Sequence, residues 1–171
     1  MAKISASSSS SSPTVSKDLP PHYADAAVGF LIDMGISDEY HVKDLYSDLF
    51  RSLLKTDHVG RGHVSCVFSV LPAVANFYDG LHGGAIGAIA ERVAIACART
   101  VVAKDKELFL GELGISYLSA APLTEVVVVD GSVVRSGRNL TVVAIEFRIK
   151  KSKKLLYIAR ATLYHMPIAK L

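Results

Sequence analysis

The residues most suited to chemistry are two adjacent glycines, Gly83 and Gly84, and a carboxylate, Glu91, eight positions after the first of them. Two glycines at the start of a helix leave its first backbone N–H groups sterically open, and these groups together carry roughly half a positive charge. A carbonyl oxygen can dock there, and such donors bind it more tightly as it becomes an anion in a tetrahedral intermediate. Small residues also let a helix touch a sheet, so the glycines alone leave both interpretations open.

Glu91 has no cation at helical spacing on either side. The positions three and four residues away are Gly87, Ala88, Ala94 and Ile95. A carboxylate in apolar surroundings is costly unless it has a distant partner or a function. Either a cation from another element, such as Arg148 or Arg160, pairs with Glu91, or Glu91 is itself a functional group.

The elements that must position these residues can be predicted from the hydrophobic pattern. Residues 83–103 are apolar nearly all round and rich in Ala and Gly, which is typical of a helix enclosed by a sheet. Residues 64–70 alternate as a strand does, a turn at residues 60–62 favours a hairpin, and residues 45–58 are ambiguous between helix and strand. Four further strands are predicted at residues 108–118, 125–135, 139–150 and 155–165. The order predicts an α+β domain in which an antiparallel sheet of about six strands wraps around one long central helix.

Composition narrows the class of protein. The chain has 171 residues, half of them apolar and 20% charged, with a formal net charge of +3. This fits one globular domain, and the charge gives no argument for a nucleic-acid partner. The longest apolar stretch is interrupted by charged residues, so no membrane span is expected. Cys66 and Cys97 lack metal-type spacing and are expected to be reduced core thiols, and neither a metal nor a cofactor is called for.

The two ends differ from the middle. Residues 1–20 form a serine-rich arm that we expect to be disordered, residues 21–168 the folded domain, and residues 23–34 a short amphipathic helix within it. The last three residues, Ala169-Lys170-Leu171, resemble a C-terminal peroxisomal address. The peroxisome is therefore the predicted location, with the cytoplasm, or a plastid or mitochondrion reached through the serine-rich arm, as alternatives.

The segment Asn-Phe-Tyr-Asp-Gly-Leu-His-Gly-Gly at residues 76–84, followed by a helix that bears an acid, carries a family resemblance. It resembles the hotdog-fold thioesterases of the 4-hydroxybenzoyl-CoA and phenylacetate-operon type, which include the animal thioesterase superfamily member 2. The resemblance covers about residues 45–165 and implies a hotdog fold and hydrolysis of acyl-CoA thioesters. It implies that Gly83 supplies the oxyanion N–H, that Asn76 orients the water or the thioester, and that Glu91 is general base or nucleophile.

The resemblance also implies a substrate-binding set. Coenzyme A carries several phosphate charges, and guanidinium groups match the geometry of phosphate. In the family, the turn that corresponds to Arg135-Ser136-Gly137-Arg138 contacts the nucleotide. His82 and Gly84 are further candidates for contact with the substrate, although His82 can equally serve to fix its loop.

Helix geometry implies a site shared between subunits. Eight residues separate Gly83 from Glu91 by about 12 Å along a helix, too far for both to touch one thioester. The family has active sites across a dimer interface, so we expect a homodimer, alone or as a dimer of dimers, with Gly83 of one subunit facing Glu91 of the other.

Two other functions remain open at this point. His82 and Glu91 also resemble the acid–base pair of hotdog dehydratases and hydratases. The third possibility is a hotdog protein that binds acyl-CoA without catalysis. The chain departs from animal thioesterases where they have a Ser near the start of the strand after the helix, because it has Leu110, Gly111 and Glu112 there, which leaves Glu112 as a candidate second partner of Glu91.

Overall fold

The computed structural model of the chain describes residues 45–167, apart from the side chains of residues 45 and 47. Three sequence-based predictions lie outside this range: the serine-rich arm of residues 1–20, the helix at residues 23–34 and the C-terminal tripeptide 169–171. These stay predictions, and so does the peroxisomal location.

Helices and strands follow one another in the predicted order. The elements are α1 (Leu45–Leu53), β1 (Lys55–Gly60), β2 (His63–Ser69), a 3-10 turn (Pro72–Val74), α2 (Gly83–Arg99), β3 (Lys106–Tyr117), β4 (Val126–Ser136), β5 (Leu140–Ile149) and β6 (Leu155–Pro167). The ambiguous residues 45–58 contain both alternatives, since helix α1 ends at Leu53 and β1 begins at Lys55. The predicted hairpin between β1 and β2 is confirmed, and it turns at Gly62, whose φ of 75° suits glycine.

The six strands form one antiparallel sheet in the order β1-β2-β4-β5-β6-β3. Helix α2 packs against β2, β3, β4, β5 and β6. This arrangement is the hotdog fold, as predicted. The strands β1 and β3 lie at the two edges of the sheet.

Small side chains allow α2 to lie close to the sheet. The helix buries Ala85, Ile86, Ile89, Ala90, Val93, Ala94, Cys97 and Ala98 on the side that faces the strands. On β4, a Cβ atom added at Gly131 would lie only 2.9 Å from Cγ1 of Val93. Although α2 is apolar, no helix within residues 45–167 is long and apolar enough to cross a membrane.

The predicted end of this helix, near residue 103, is wrong by four residues, because α2 ends at Arg99. The hydroxyl of Thr100 donates to the carbonyl of Cys97 at 2.7 Å and accepts the N–H of Gly62 at 2.7 Å. These two hydrogen bonds connect the C-terminal end of α2 to the β1–β2 turn. Apolar periodicity continues past this point and could not reveal the stop.

The closeness of α2 to Gly131 gives a first prediction. Replacing Gly131 with Ala should destabilise the fold by about 1–3 kcal/mol, because the new methyl group overlaps Val93 and the core must shift. Gly114 on β3 is a matched control, since a Cβ there would meet nothing within 4 Å. Chemical denaturation of both variants checks this, and equal midpoints for Gly131→Ala and Gly114→Ala would contradict it.

Candidate active site

The N-terminus of α2 presents an open backbone donor at Gly83. His82 is the N-cap residue, and its ring Nδ1 accepts the N–H of Gly84 at 2.9 Å. The carbonyl of His82 accepts the N–H of Ile86 at 3.0 Å, which begins the helical pattern. The N–H of Gly83 has no hydrogen-bond partner among residues 45–167. Of the two predicted glycine donors, Gly83 is therefore the one left open, and Gly84 is engaged by the cap.

The cap also fixes the tautomer of His82. Because Nδ1 accepts a hydrogen bond, the neutral ring carries its proton on Nε2, by assignment from the bonding pattern. Its one lone pair is then occupied by Gly84, so the ring cannot take a proton from a substrate without releasing the cap. His82 lies where a loop-fixing residue would, and the acid–base role of a dehydratase histidine is disfavoured.

Asn76 builds the turn that leads into the helix. Its side-chain Oδ1 accepts the N–H groups of Tyr78 at 2.9 Å and Gly80 at 3.1 Å. The backbone N–H of Asn76 donates to the carbonyl of Gly80 at 2.7 Å, which closes the turn. Asp79 has a φ of 55° within it. The amide oxygen of Asn76 is thus committed to the turn, while its amide nitrogen is the part that can meet a ligand.

A cavity of about 400 Å³ lies beside Gly83. It is lined by Asn76, Gly80, Leu81, Gly83, Ile86, Tyr117, Leu118, Ser119, Ala120 and Tyr157. Two predicted catalytic residues, Asn76 and Gly83, therefore share this cavity. A carbonyl group placed there would meet the Gly83 N–H at the positive end of the helix.

Tyr117 was missed by the sequence reasoning, although it stands next to Gly83. A Cβ atom added at Gly83 would lie 3.6 Å from the Tyr117 hydroxyl. Tyr117 packs edge-on against Tyr157, whose hydroxyl accepts the N–H of Ala121 at 3.0 Å and whose pKa is raised by burial. No local pattern marks Tyr117, because its position depends on where β3 ends relative to α2.

Glu91 lies in a second cavity, of about 390 Å³, on the side of α2 that faces away from the sheet. This cavity is lined by Tyr46, Phe50, Ala88, Glu91, Arg92 and Ile95. Within the described range, no hydrogen bond or ion pair reaches the Glu91 carboxylate. The Glu91 side chain is half-buried beside aromatic and aliphatic side chains.

None of the residues predicted as partners of Glu91 contacts it in this structure. Arg148 binds Glu146 instead, through Nη2 at 2.7 Å and Nε at 3.1 Å. Arg160 and Glu112 are exposed and line a different cavity, on the outer face of the β3–β6 strand pair. Glu112 therefore points away from Glu91 of its own chain.

The two cavities share no lining residue. Because α2 is unbroken from Gly83 to Arg99, the donor and the carboxylate are held about 12 Å apart along the helix. One copy of the chain therefore brings Asn76 and Gly83 together but leaves Glu91 apart from them.

The basic turn lies at the opposite end of the sheet from Gly83. The residues of the turn, Arg135-Ser136-Gly137-Arg138, are all exposed. His165, next to the turn, pairs with Leu108 at the start of β3, whereas Gly83 lies beside Tyr117 at the end of that strand. Nine strand residues correspond to about 30 Å. The arginines and Gly83 of one chain therefore lie far apart.

Comparison with known proteins decides which chemistry this arrangement belongs to. The profile of the thioesterase superfamily matches residues 78–156, from the Asn76 turn through α2 to the start of β6. Residues 78–156 therefore form a thioesterase-superfamily domain. The match identifies the class of enzyme as a thioester hydrolase. A comparison with curated protein sequences gave no match.

Solved structures show the same fold at low sequence identity. Thioesterase superfamily member 2 from zebra fish is 21% identical, with a TM-score of 0.65 over 68% of this chain and 84% of its own. The mouse member 2 is 18% identical, with a TM-score of 0.65 over 70% and 86%. A Streptococcus mutans protein bound to acetyl-CoA is 19% identical, with a TM-score of 0.63 over 78% and 100%. At these identities the likeness shows the fold alone.

The double role of the Asn76 amide gives a second prediction. Replacing Asn76 with Ala should lower the free energy of unfolding by about 1–3 kcal/mol, because two turn N–H groups lose their acceptor. Asn76→Asp keeps an acceptor oxygen and should retain most of that stability. Thermal denaturation of the three proteins measures the difference, and an Asn76→Ala variant as stable as the parent would show that the turn does not depend on this side chain.

Proposed function

We propose that this thioesterase hydrolyses acyl-coenzyme A to a free acid and coenzyme A, at sites formed between two subunits. The observation that carries the proposal is the fixed separation of an open donor, the Gly83 N–H, from a carboxylate without a partner in the described chain, Glu91. Each group stands in its own cavity, and neither cavity holds a complete set of catalytic groups.

A second copy of the chain supplies the missing half. When two α2 helices pack antiparallel and cross near Gly87, Gly83 of one helix lies beside Glu91 in the middle of the other. The outward face of α2 is suited to such packing, because Gly84, Gly87 and Ala88 lie on it beside Glu91. Small residues let helices approach closely.

The chemical step uses the two groups in complementary ways. The Gly83 N–H of one subunit and the helix terminus polarise the thioester carbonyl and stabilise the oxyanion as it forms. Glu91 of the partner subunit either deprotonates the attacking water or attacks the carbonyl itself to give an anhydride, which water then opens. Collapse of the tetrahedral centre expels the thiolate of coenzyme A, and the thiolate takes up a proton.

The two arginines of the Arg135–Arg138 turn are evidence that the leaving group is coenzyme A. In the antiparallel pair, the turn that belongs to the Glu91 subunit lies beyond the C-terminal end of its α2. Cys97 near that end donates from Sγ to the carbonyl of Gly131 at 3.3 Å, and the turn begins four residues further along the chain. The nucleotide phosphates would meet two guanidinium groups there. The acetyl-CoA bound to the Streptococcus mutans relative supports the same class of ligand.

The proposal predicts how substitution at Glu91 affects activity. Glu91→Gln keeps the size of the side chain but removes the base or nucleophile, so turnover of an acyl-CoA should fall by roughly two to four orders of magnitude. Release of coenzyme A thiol, followed with a thiol reagent, measures this. Only a hydrolase releases thiol from a saturated acyl-CoA, so the same assay separates it from a dehydratase.

Glu112→Gln is the matched control for this experiment, because Glu112 is an exposed carboxylate on the outer face of the sheet. It should leave turnover unchanged. If Glu91→Gln hydrolyses acyl-CoA as fast as the parent protein, the catalytic proposal fails, and binding of acyl-CoA without hydrolysis becomes the better account.

A further inference from the structure

A chain of hydrogen bonds stands behind the basic turn. The hydroxyl of Ser136 lies 2.8 Å from that of Thr141, which lies 2.9 Å from Nε2 of His165. Nδ1 of the same ring lies 3.1 Å from the carbonyl oxygen of Arg138. The backbone N–H of His165 also donates to the carbonyl of Asn139 at 2.9 Å. His165 thus contacts the turn directly at the Arg138 carbonyl and indirectly through Thr141, whose hydroxyl meets that of Ser136.

The direction of this chain can be assigned from its ends. A carbonyl oxygen only accepts, so Nδ1 of His165 carries the proton that goes to Arg138. In the neutral ring Nε2 is then an acceptor, and the hydroxyl of Thr141 donates to it. Thr141 accepts in turn from the hydroxyl of Ser136. The donors therefore run in one direction, from Ser136 through Thr141 and His165 to the backbone of the turn.

Thr141, in the middle of this series of hydrogen bonds, is buried, and its partners are therefore hard to replace. Thr141 has none of its surface exposed, whereas Ser136 and Arg138 lie at the surface. Water cannot reach Thr141 to substitute for a lost partner, and a buried polar group without a partner is costly. These hydrogen bonds join the ends of three strands, since Ser136 is on β4, Thr141 on β5 and His165 on β6.

We propose that Thr141 and His165 are positioning residues, which hold the Arg135–Arg138 turn in the geometry that binds the phosphates of a nucleotide-bearing thioester. The inference rests on the proposed function, in which this turn receives coenzyme A. Phosphate recognition by two guanidinium groups needs a fixed spacing between them, and the turn has no other side-chain support among residues 45–167. Neither residue touches the reacting atoms.

The test compares two substrates that have the same acyl group. One is acyl-CoA and the other is the acyl-pantetheine thioester, which lacks the nucleotide and its phosphates. Thr141→Val keeps the shape but removes the hydroxyl, so KM for acyl-CoA should rise roughly tenfold, the loss expected for one hydrogen bond to a charged group. The value of kcat and the KM for acyl-pantetheine should stay within about twofold of the parent.

Two further variants separate positioning from general damage to the fold. Thr141→Ser keeps the hydroxyl and should restore KM for acyl-CoA. Thr162→Val removes a half-buried hydroxyl from neighbouring β6 that takes no part in these hydrogen bonds. It should leave KM unchanged for both substrates. An equal rise in KM for both substrates, a fall in kcat with both, or no change in Thr141→Val would each overturn the proposal.

Failure of the proposed function can be told apart from failure of this inference. If the parent protein hydrolyses neither thioester, titration calorimetry with coenzyme A itself replaces the kinetic assay. Weaker binding of coenzyme A to Thr141→Val than to the parent and Thr162→Val would still support the positioning role. Equal binding to all three proteins, or no binding to any of them, would overturn it.

Discussion

The site depends on the rigidity of one helix. Helix α2 runs without a break from Gly83 to Arg99, and its whole inner side is buried against five strands. A buried, regular helix cannot bend enough to bring its first residue to its ninth. The distance between the Gly83 N–H and the Glu91 carboxylate is therefore a constant of the fold. Any catalytic arrangement must therefore accommodate a separation of about 12 Å between these two groups.

The packing that holds α2 in place follows from small residues on both sides of the contact. Alanines line the buried face of the helix, and Gly131 on β4 leaves room for Val93. At the C-terminal end, Sγ of Cys97 lies 3.3 Å from the carbonyl oxygens of both Gly62 and Gly131, which share its single proton. These contacts anchor the helix to the sheet at one end and leave its N-terminal donor open at the other.

Much of this could be predicted from the sequence, because the relevant signals are local. The glycine and alanine content of residues 83–103 predicts an enclosed helix, and alternation of apolar residues predicts the strands. The helix stop at Arg99 could not be predicted, since it depends on a bond from Gly62 to Thr100, 38 residues away. The support of the basic turn by His165 was equally hidden, because it depends on the register of three strands. The pairing of Arg148 with Glu146 had a signal, since residues two apart on a strand share a face.

The central claim, that each site takes Gly83 from one subunit and Glu91 from the other, can be tested by mixing two inactive variants. Glu91→Gln removes the carboxylate, and Gly83→Pro removes the N–H at the first helical position, where proline is tolerated. After unfolding and refolding in equal amounts, half of the dimers are mixed and each has one intact site, so activity should return to about one quarter of the parent value. If the refolded mixture contains mixed dimers but is as inactive as either variant alone, the shared site is wrong.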